Sequence, residues 1–541
     1  MVVIKEAASS LSLVYGPDFV SRLTDFSSVI GYTVEADESE IKVEFNPDRP
    51  DLFSFTTLSF AMGQYEGTKK WNRLKFTGTK ADFNVDPKVR NLRPLVMGFH
   101  CHGPKLGNSF RDLIDFQERI HLSVGKDRKK VSIGIHDTSR VRFPLVYKAM
   151  DLDQVRFTTY DGEVTGTARK ILKKHPKGIE YAPLIPDTGM VPIIEDSNHK
   201  VLSMPPVVNG NISTVSEDSK DLFIDITGTD RNSMADAFFL LAYFFQELEY
   251  ELGAPNLEDF DGILDEDGRI MKVNIVEMAE IIGADIDAGE ISKLLLKMGY
   301  YAELAGDTIT VHIPGNRIDV MGPADIIEDI AKAYGYDNIS PRKPEMNIVG
   351  SESPMKPFLS NFRYLLIGLG YQETMAYVVT SERYYGRVNY TGGLRIQNPK
   401  SRDFSVVRDR LYLGILGFLS INRRRPLPQK IFEIGAVIIR GVQHTSICVA
   451  LENSRAGFSD IKKVLDSTIA RLGLPTAVIK PRNLESMING RAGAISILDQ
   501  EVGIIGEVNP ETLDDFELKN PVSLFEMDLR ALFDLSDKNS R

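Results

Sequence analysis

The chain has 541 residues, room for three to five domains at the usual ~100–200 residues each. Apolar residues make up 43% and charged residues 26%, the balance of an ordinary globular protein whose domains can each bury a core. A formal charge of −11, from 64 basic and 75 acidic residues, excludes a uniformly basic nucleic-acid binder and leaves any RNA contact to local basic patches. The cysteines are two, Cys101 and Cys448, which excludes a disulfide framework and suits a reducing compartment. The first six residues lack the basic flank and apolar run of a secretion signal. The longest apolar run, 237–245, is far short of the ~20 residues that span a bilayer. A soluble, cytoplasmic protein without a membrane partner is expected.

Residues 19–30 have helical spacing and stop before Gly31, a common helix terminus. Residues 32–45 alternate as strands about the turn Asp37-Glu38-Ser39. Asn46-Pro47-Asp48-Arg49-Pro50-Asp51 is a stiff loop, since two prolines fix their own backbone and restrict their neighbours. Residues 1–83 thus form a small α/β domain. The next stretch, 84–262, is mixed: a strand at 95–102, a helix at 110–124, a basic turn at 126–130, a strand at 131–135 and an aromatic-rich helix at 234–250. Acidic, glycine-containing 256–269 reads as a linker. Within 268–345, helices at 276–282 and 290–298, a hairpin at Gly306-Asp307 and a helix at 323–334 suggest a winged-helix-like module. Gly31-Tyr32 leading to Pro47, Arg49 and Asp51 is echoed by Gly299-Tyr300 leading to Pro314, Arg317 and Asp319, a sign of related sub-modules. Residues 350–541 form a larger domain of antiparallel character, with strands such as 430–438 and 493–506 around helices such as 357–369 and 411–421. The fold class is multidomain α+β.

Several groups could carry chemistry. Asp325, Glu328 and Asp329 share one helical face near Asp319, with Ile326, Ile330 and Ala333 opposite, so the acidic face is expected outward. Such a face suits a hard cation such as Mg2+, although by spacing alone a solvated surface is the commoner reading. His100 and His102 point one way along a strand and Cys101 the other, which argues against a metal site there. His136-Asp137 and His175 offer general-base candidates. Leu202-Ser203-Met204-Pro205-Pro206 and Asp225-Ile226-Thr227-Gly228-Thr229-Asp230 combine hydroxyls and carboxylates in loop-like settings, equally good as turns and caps. Lys126/Arg128/Lys129/Lys130 and Arg423/Arg424/Arg425 could meet phosphates. No Walker A loop or G-x-S-x-G elbow is present.

Taken in order, Asn46-Pro47-Asp48-Arg49-Pro50-Asp51-Leu52, Ser132-Ile133-Gly134-Ile135-His136-Asp137, His175-Pro176-Lys177-Gly178, the segment from Leu202 to Gly210, the acidic helix after Arg317-Ile318-Asp319, Gln397-Asn398-Pro399 and Ile431-Phe432-Glu433-Ile434-Gly435 resemble the beta subunits of phenylalanyl-tRNA synthetase, in their shorter archaeal/eukaryotic form. The resemblance implies an α2β2 ligase acting on tRNA(Phe), with ATP, phenylalanine and the working site in the alpha subunit. It implies that 84–262 hydrolyses tyrosine wrongly attached to this tRNA, with Ser203, Asp225 and Thr227 lining the editing pocket. It also implies that Asp319, Asp325, Glu328 and Asp329 hold Mg2+ shared with the alpha subunit. Residues 350–541 resemble a class II synthetase domain that has lost catalysis: Val407-Arg408-Asp409 and Phe432-Glu433 echo the second class II motif, but no suitable arginine follows Gly490-Arg491-Ala492-Gly493-Ala494. A free-standing hydrolase of mischarged tRNA, an RNA-binding scaffold and a magnesium-dependent phosphotransferase are the rival readings.

Overall fold

The computed structural model describes all residues except Met1, Glu38, 79–81, 257–259, 261, 345–347, Asn389, Thr391 and Arg541. The expected turn at Glu38 and part of the expected linker, 257–259 and 261, therefore lie outside the described residues. The chain divides into two compact units, 1–343 and 344–541. Among the described residues no helix is long and apolar enough to cross a membrane.

The first unit opens with β1 (Val2–Ala7), α1 (Ala8–Tyr15), α2 (Phe19–Ile30), β2 (Thr33–Ala36), β3 (Glu40–Phe45) and α3 (Phe55–Tyr65). Gly31 ends α2 at φ +81°, a left-handed conformation that costs glycine nothing. Ile41, Val43 and Phe45 alternate inward along β3, the centre of a sheet ordered β1-β3-β2.

The middle of the unit contains β4 (Phe76–Gly78), β5 (Phe83–Val85), β6 (Leu95–His102), α4 (Ser109–Leu122), β7 (Val131–Asp137) and β8 (Leu145–Asp151). It continues through β9 (Arg156–Thr158), β10 (Thr165–Thr167), α5 (Ala168–Lys174), α6 (Pro176–Tyr181), β11 (Met190–Glu195), β12 (Val201–Met204), β13 (Val208–Asn209), β14 (Asp221–Gly228), α7 (Arg231–Glu247) and β15 (Glu251–Gly253). Two five-stranded sheets result, ordered β4-β15-β6-β14-β7 and β13-β12-β11-β8-β5. Ile224 and Ile226 of β14 pack with Phe116 of α4 and Phe238 of α7 on one face. Phe223 packs on the other face with Tyr147, Ile194 and Leu202 of the second sheet. The order of layers is helices, sheet, sheet.

The unit closes with β16 (Arg269–Asn274), α8 (Ile275–Ile282), α9 (Ala288–Lys297), β17 (Tyr301–Ala305), β18 (Thr308–Ile313) and α10 (Pro323–Tyr334). Its sheet order, β16-β18-β17, repeats that of the opening segment, and so does the sequence strand, two helices, hairpin, loop, helix. The Pro…Arg-x-Asp echo is therefore a topological repeat. The two loops face each other. Arg49 forks onto Asp51 at 2.9 and 2.7 Å, Arg317 forks onto Asp319 at 2.9 and 2.8 Å, and Arg49 Nε lies 3.9 Å from Asp319. Both arginines are buried, so matched bidentate carboxylates are what make their burial tolerable.

In the second unit, a mainly antiparallel seven-stranded sheet runs Gln372–Glu373, Gln429–Ile439, Val442–Glu452, Val522–Asp528, Gln500–Val508, Met487–Ile497, Val478–Pro481. Helices Met355–Gly368, Phe458–Arg471 and Leu529–Ser540 surround it, and Tyr412–Ile421 carries a second core. The expected single strand 493–506 is a hairpin, turning at Leu498 and Asp499, which adopt φ +48° and +62°. No glycine marks that turn, so the apolar pattern read straight through it.

Candidate functional site

Asp225 sits in the middle of β14, between Gly98 of β6 and Gly134 of β7. Alternation with Ile224 and Ile226 turns its carboxylate toward the second sheet. A Cβ at Gly134 would strike the Asp225 carboxylate and the His136 ring, so the glycine makes the room both need. His136 Nε2 lies 2.7 Å from Asp225 Oδ2, and His136 Nδ1 lies 2.8 Å from Ser213 Oγ. A carboxylate can only accept, so Nε2–H donates to Asp225, and in the neutral imidazole this leaves Nδ1 to accept from the Ser213 hydroxyl. Asp225, His136 and Ser213 are 1%, 0% and 2% exposed.

Ser213 also lines an open cleft of about 180 Å3 beside the edge strand β7. Phe110 and Ile114 of α4, Ile133, Val207 and Val215 form its apolar wall, and Gln117, Glu118, Arg128, Lys177 and Asn209 bring polar groups. Arg128 and Lys177 bind Glu118 at 2.9 and 2.8 Å. Burial raises the Glu118 carboxyl, but His121, Arg128 and Lys177 outweigh it and hold it well below the usual carboxylate range. Burial pushes His121 down to about 4, so it is neutral, accepting the Ile133 N–H at Nε2, 2.8 Å away. Arg128 also donates to the carbonyls of Pro206 and Val207 at 3.2 and 3.0 Å and lies 4.4 Å from the Tyr181 ring centroid. Lys126, Asp127 and Arg128 are all left-handed, at φ +46°, +56° and +61°. Such backbone costs about 1–2 kcal/mol per residue and persists where surrounding contacts over-determine it.

The residues singled out in the sequence divide accordingly. Asp225 and His136 are brought together. Ser203 and Thr227 lie on strands, not loops, and none of Ser203, Asp225 and Thr227 is among the residues lining this cleft. Thr227 Oγ1 accepts from Arg93 Nε at 3.0 Å, and the buried Ser203 hydroxyl has no protein partner among the described residues. His175 pairs with Asp161 at 2.9 Å, and with Glu163 these form the one described trio whose atoms lie close enough for a metal ion. His100 is half-buried against Phe143 and Phe223, and Cys101 is buried on the opposite face. Of the basic turn, Arg128 points inward to Glu118 and Lys130 pairs with Asp230 at 3.2 Å. Ser213 escaped the sequence reading, since nothing local distinguishes it from a turn serine.

The acidic cluster is not the outward face expected. Asp329 is buried, accepting from Tyr300 OH at 2.6 Å and Arg317 at 2.5 Å. Burial raises the Asp319 carboxyl, but Arg317 dominates and holds it at about 2. Asp325 Oδ2 accepts the Met321 and Gly322 N–H groups at 2.7 and 2.8 Å, capping α10. Glu328 is exposed and pairs with Lys332 at 2.9 Å. The four residues do not converge into a cage. Of the four, Glu328 is exposed and Asp325 half-buried.

In the second unit, Arg408 and Glu433 meet as a buried pair at 2.6 Å, and Arg408 Nε donates to the Ala436 carbonyl at 2.9 Å. The arginine of the second-motif echo is thereby committed inside the protein. Gly490-Arg491-Ala492-Gly493-Ala494 lies on Met487–Ile497, where Arg491 pairs with Glu507 at 2.7 Å.

Comparison with known proteins gives a consistent result. Residues 339–529 match the phenylalanyl tRNA synthetase beta chain CLM domain, and 271–336 match the tRNA synthetase B5 domain. The chain is 41% identical over 539 residues to the phenylalanine--tRNA ligase beta subunit of Thermoplasma volcanium, covering 99% of both chains. It is 40% identical over 543 residues to that of Thermoplasma acidophilum, covering 98% of both. An N-terminal fragment of the phenylalanyl-tRNA synthetase beta subunit from Pyrococcus horikoshii superposes with TM-score 0.55 at 28% identity, over 62% of this chain and all of that one.

One buried acid in the second unit has a measurable consequence. Glu526 accepts the Leu411 and Tyr412 N–H groups at 2.8 and 2.9 Å, and burial pushes its carboxyl up to about 7 from 4.5. The folded state therefore holds this proton more tightly, so its contribution is complete below pH 4.5 and is lost as pH rises through about 7. The stability of the wild type relative to Glu526→Gln is expected to fall by about 3 kcal/mol across that window. Denaturant unfolding of both proteins at pH 5 and pH 8 checks it; an unchanged difference would refute the assignment.

Proposed function

The chain belongs to the family of phenylalanine--tRNA ligase beta subunits, and we propose on that premise how its parts divide the work. With an alpha subunit it supports ATP-dependent attachment of phenylalanine to tRNA(Phe), in an α2β2 assembly in the cytoplasm. The alpha subunit holds ATP and the aminoacylation site. The end-to-end likeness at 41% identity carries this reading. Segment 350–541 serves as a class II-like domain without catalysis, and the locked Arg408–Glu433 pair supports that role, since an arginine held by a buried carboxylate is not available to a nucleotide phosphate. Segments 1–83 and 268–345, the latter winged-helix-like, flank the editing segment 84–262.

Editing answers a physical shortfall. An apolar pocket built for phenylalanine rejects an analogue bearing an extra hydroxyl by only ~10²-fold. A second pocket that hydrogen-bonds the phenol discriminates further, because phenylalanine would leave its buried polar groups unpaired. The cleft beside β7 suits that role. Its apolar wall takes an aromatic ring, and Arg128 and Lys177 bring positive charge near the path of a tRNA end. Asp225 acts on the cleft through His136 and the cleft-lining Ser213, while Ser203 and Thr227 are buried on the neighbouring strands.

The Asp325 and Glu328 carboxylates, three residues apart on α10, suit part of a Mg2+ site, the remaining ligands coming from the alpha subunit and water. Asp319 and Asp329, tied to Arg317, shape the loop beneath. Bound there, the ion supplies a bridge between chains. The double variant Asp325→Asn, Glu328→Gln is expected to weaken alpha–beta association in Mg2+ to the level the wild type shows in EDTA. Equal association of both proteins in Mg2+ would rule this site out.

The proposal as a whole is tested by co-purifying this chain with an alpha subunit and measuring phenylalanine charging and tyrosyl-tRNA(Phe) hydrolysis. Charging is expected only from the pair, and Asp225→Asn is expected to slow hydrolysis at least tenfold. Hydrolysis by this chain alone, without charging by the pair, favours a free-standing hydrolase. RNA binding with neither activity favours a scaffold. Unchanged hydrolysis in Asp225→Asn removes that residue from the editing assignment.

A further inference from the structure

We propose that Ser213 is the catalytic hydroxyl of the cleft, relaying the proton of the hydrolytic water to His136 while Asp225 holds the imidazole. The inference rests on the editing reading above and adds the groups that move the proton.

Ser213 is not a loose surface hydroxyl. It ends a single turn, Asn211–Ser213, that is anchored on both sides. The Gly210 N–H donates to the Leu202 carbonyl at 2.6 Å, and a Cβ at Gly210 would strike the Val201 carbonyl. Thr214 Oγ1 donates to the Tyr160 and Asn211 carbonyls at 3.3 and 3.2 Å. With the turn fixed, Ser213 Oγ is held 2.8 Å from His136 Nδ1 at the cleft wall.

The hydrogen bonds run in one direction. Asp225 accepts from Nε2–H, Nδ1 accepts from Ser213, and the Ser213 oxygen keeps its lone pairs for a donor in the cleft. The other ionisable groups nearby are committed. Both Glu118 oxygens are taken, Oε1 by Arg128 and Lys177, Oε2 by Arg128 and His121. His121 itself accepts the Ile133 N–H, and His175 is paired with Asp161. Ser213 is the route by which a base reaches the cleft.

Burial distinguishes relay from direct attack. At 2% exposure, Ser213 can be touched by a water molecule but not by the acyl carbon of a bulky ester. In the relay, the water oxygen adds to the ester carbonyl carbon as its proton passes to Ser213 Oγ and the Ser213 proton passes to His136 Nδ1. The imidazolium is neutralised by Asp225. As the adduct collapses, the acyl–oxygen bond to the ribose breaks, and the proton returns through Ser213 to the leaving ribose oxygen. Ester and water become free amino acid and tRNA.

The test is single-turnover hydrolysis of tyrosyl-tRNA(Phe) by the co-purified alpha–beta enzyme, in H2O and D2O. Ser213→Ala is expected to lower the first-order rate by about 10²-fold or more, as for loss of a general base, with the half-saturating concentration unchanged. Ser213→Thr, which retains a hydroxyl, is expected to recover much of the rate. The wild type is expected to show a normal solvent isotope effect that Ser213→Ala loses. Wild-type rate and isotope effect in Ser213→Ala would overturn the relay, as would a tyrosyl ester trapped on Ser213. Should Ser213→Ala not fold, the wild-type measurement decides alone, and the absence of an isotope effect overturns the proposal. A wild-type pair that charges phenylalanine but never hydrolyses tyrosyl-tRNA(Phe) sinks the editing reading itself, and this inference with it.

Discussion

A carboxylate buried between two sheets is the constraint from which the site follows. Asp225 is 1% exposed, and an ionised group taken out of water at that depth is tolerable only when protein groups answer it. The answer organises everything around it. Gly134 and Gly98 flank the residue on the neighbouring strands, and at Gly134 any side chain would collide with the carboxylate. His136 must bring its Nε2–H, which fixes the tautomer and leaves Nδ1 to accept from Ser213. A group that cannot touch the cleft thereby sets the chemistry of one that can.

A second buried electrostatic arrangement stabilises the same unit elsewhere. The repeated Arg-x-Asp loops bury Arg49 and Arg317 against Asp51, Asp319 and Asp329. Removing one partner of such a pair costs about 3–5 kcal/mol, because the other charge is left buried alone. The acidic residues near α10 thus have divided duties. Asp319 and Asp329 neutralise Arg317, Asp325 caps the helix, and Glu328 remains at the surface.

Much of the architecture was legible in the sequence, because local rules decide it. The helix at 19–30, the strand at 95–102 and the helix at 323–334 are found with those bounds, since apolar period and a glycine or proline marked their ends. The hairpin within 493–506 was hidden because Leu498 and Asp499 turn the chain without glycine. The acidic face misled because helical spacing fixes which residues share a side, not which neighbour covers it. Arg317 reaches Asp329 from twelve residues away. Candidate site residues were legible as types and motifs only. The Ser213–His136 contact spans 77 residues and the His136–Asp225 contact 89, so only the folded chain reveals that the three form a line.

The most direct measurement is a crystal structure of the assembled enzyme with a non-hydrolysable amide analogue of 3′-tyrosyl-adenosine. The expected result places the tyrosyl ring against Phe110, Ile114 and Val207, with the amide carbonyl beside Ser213 and a water between them. An analogue bound at saturation elsewhere on the chain, with this cleft holding only solvent, would contradict the assignment of the cleft and the role given to Asp225.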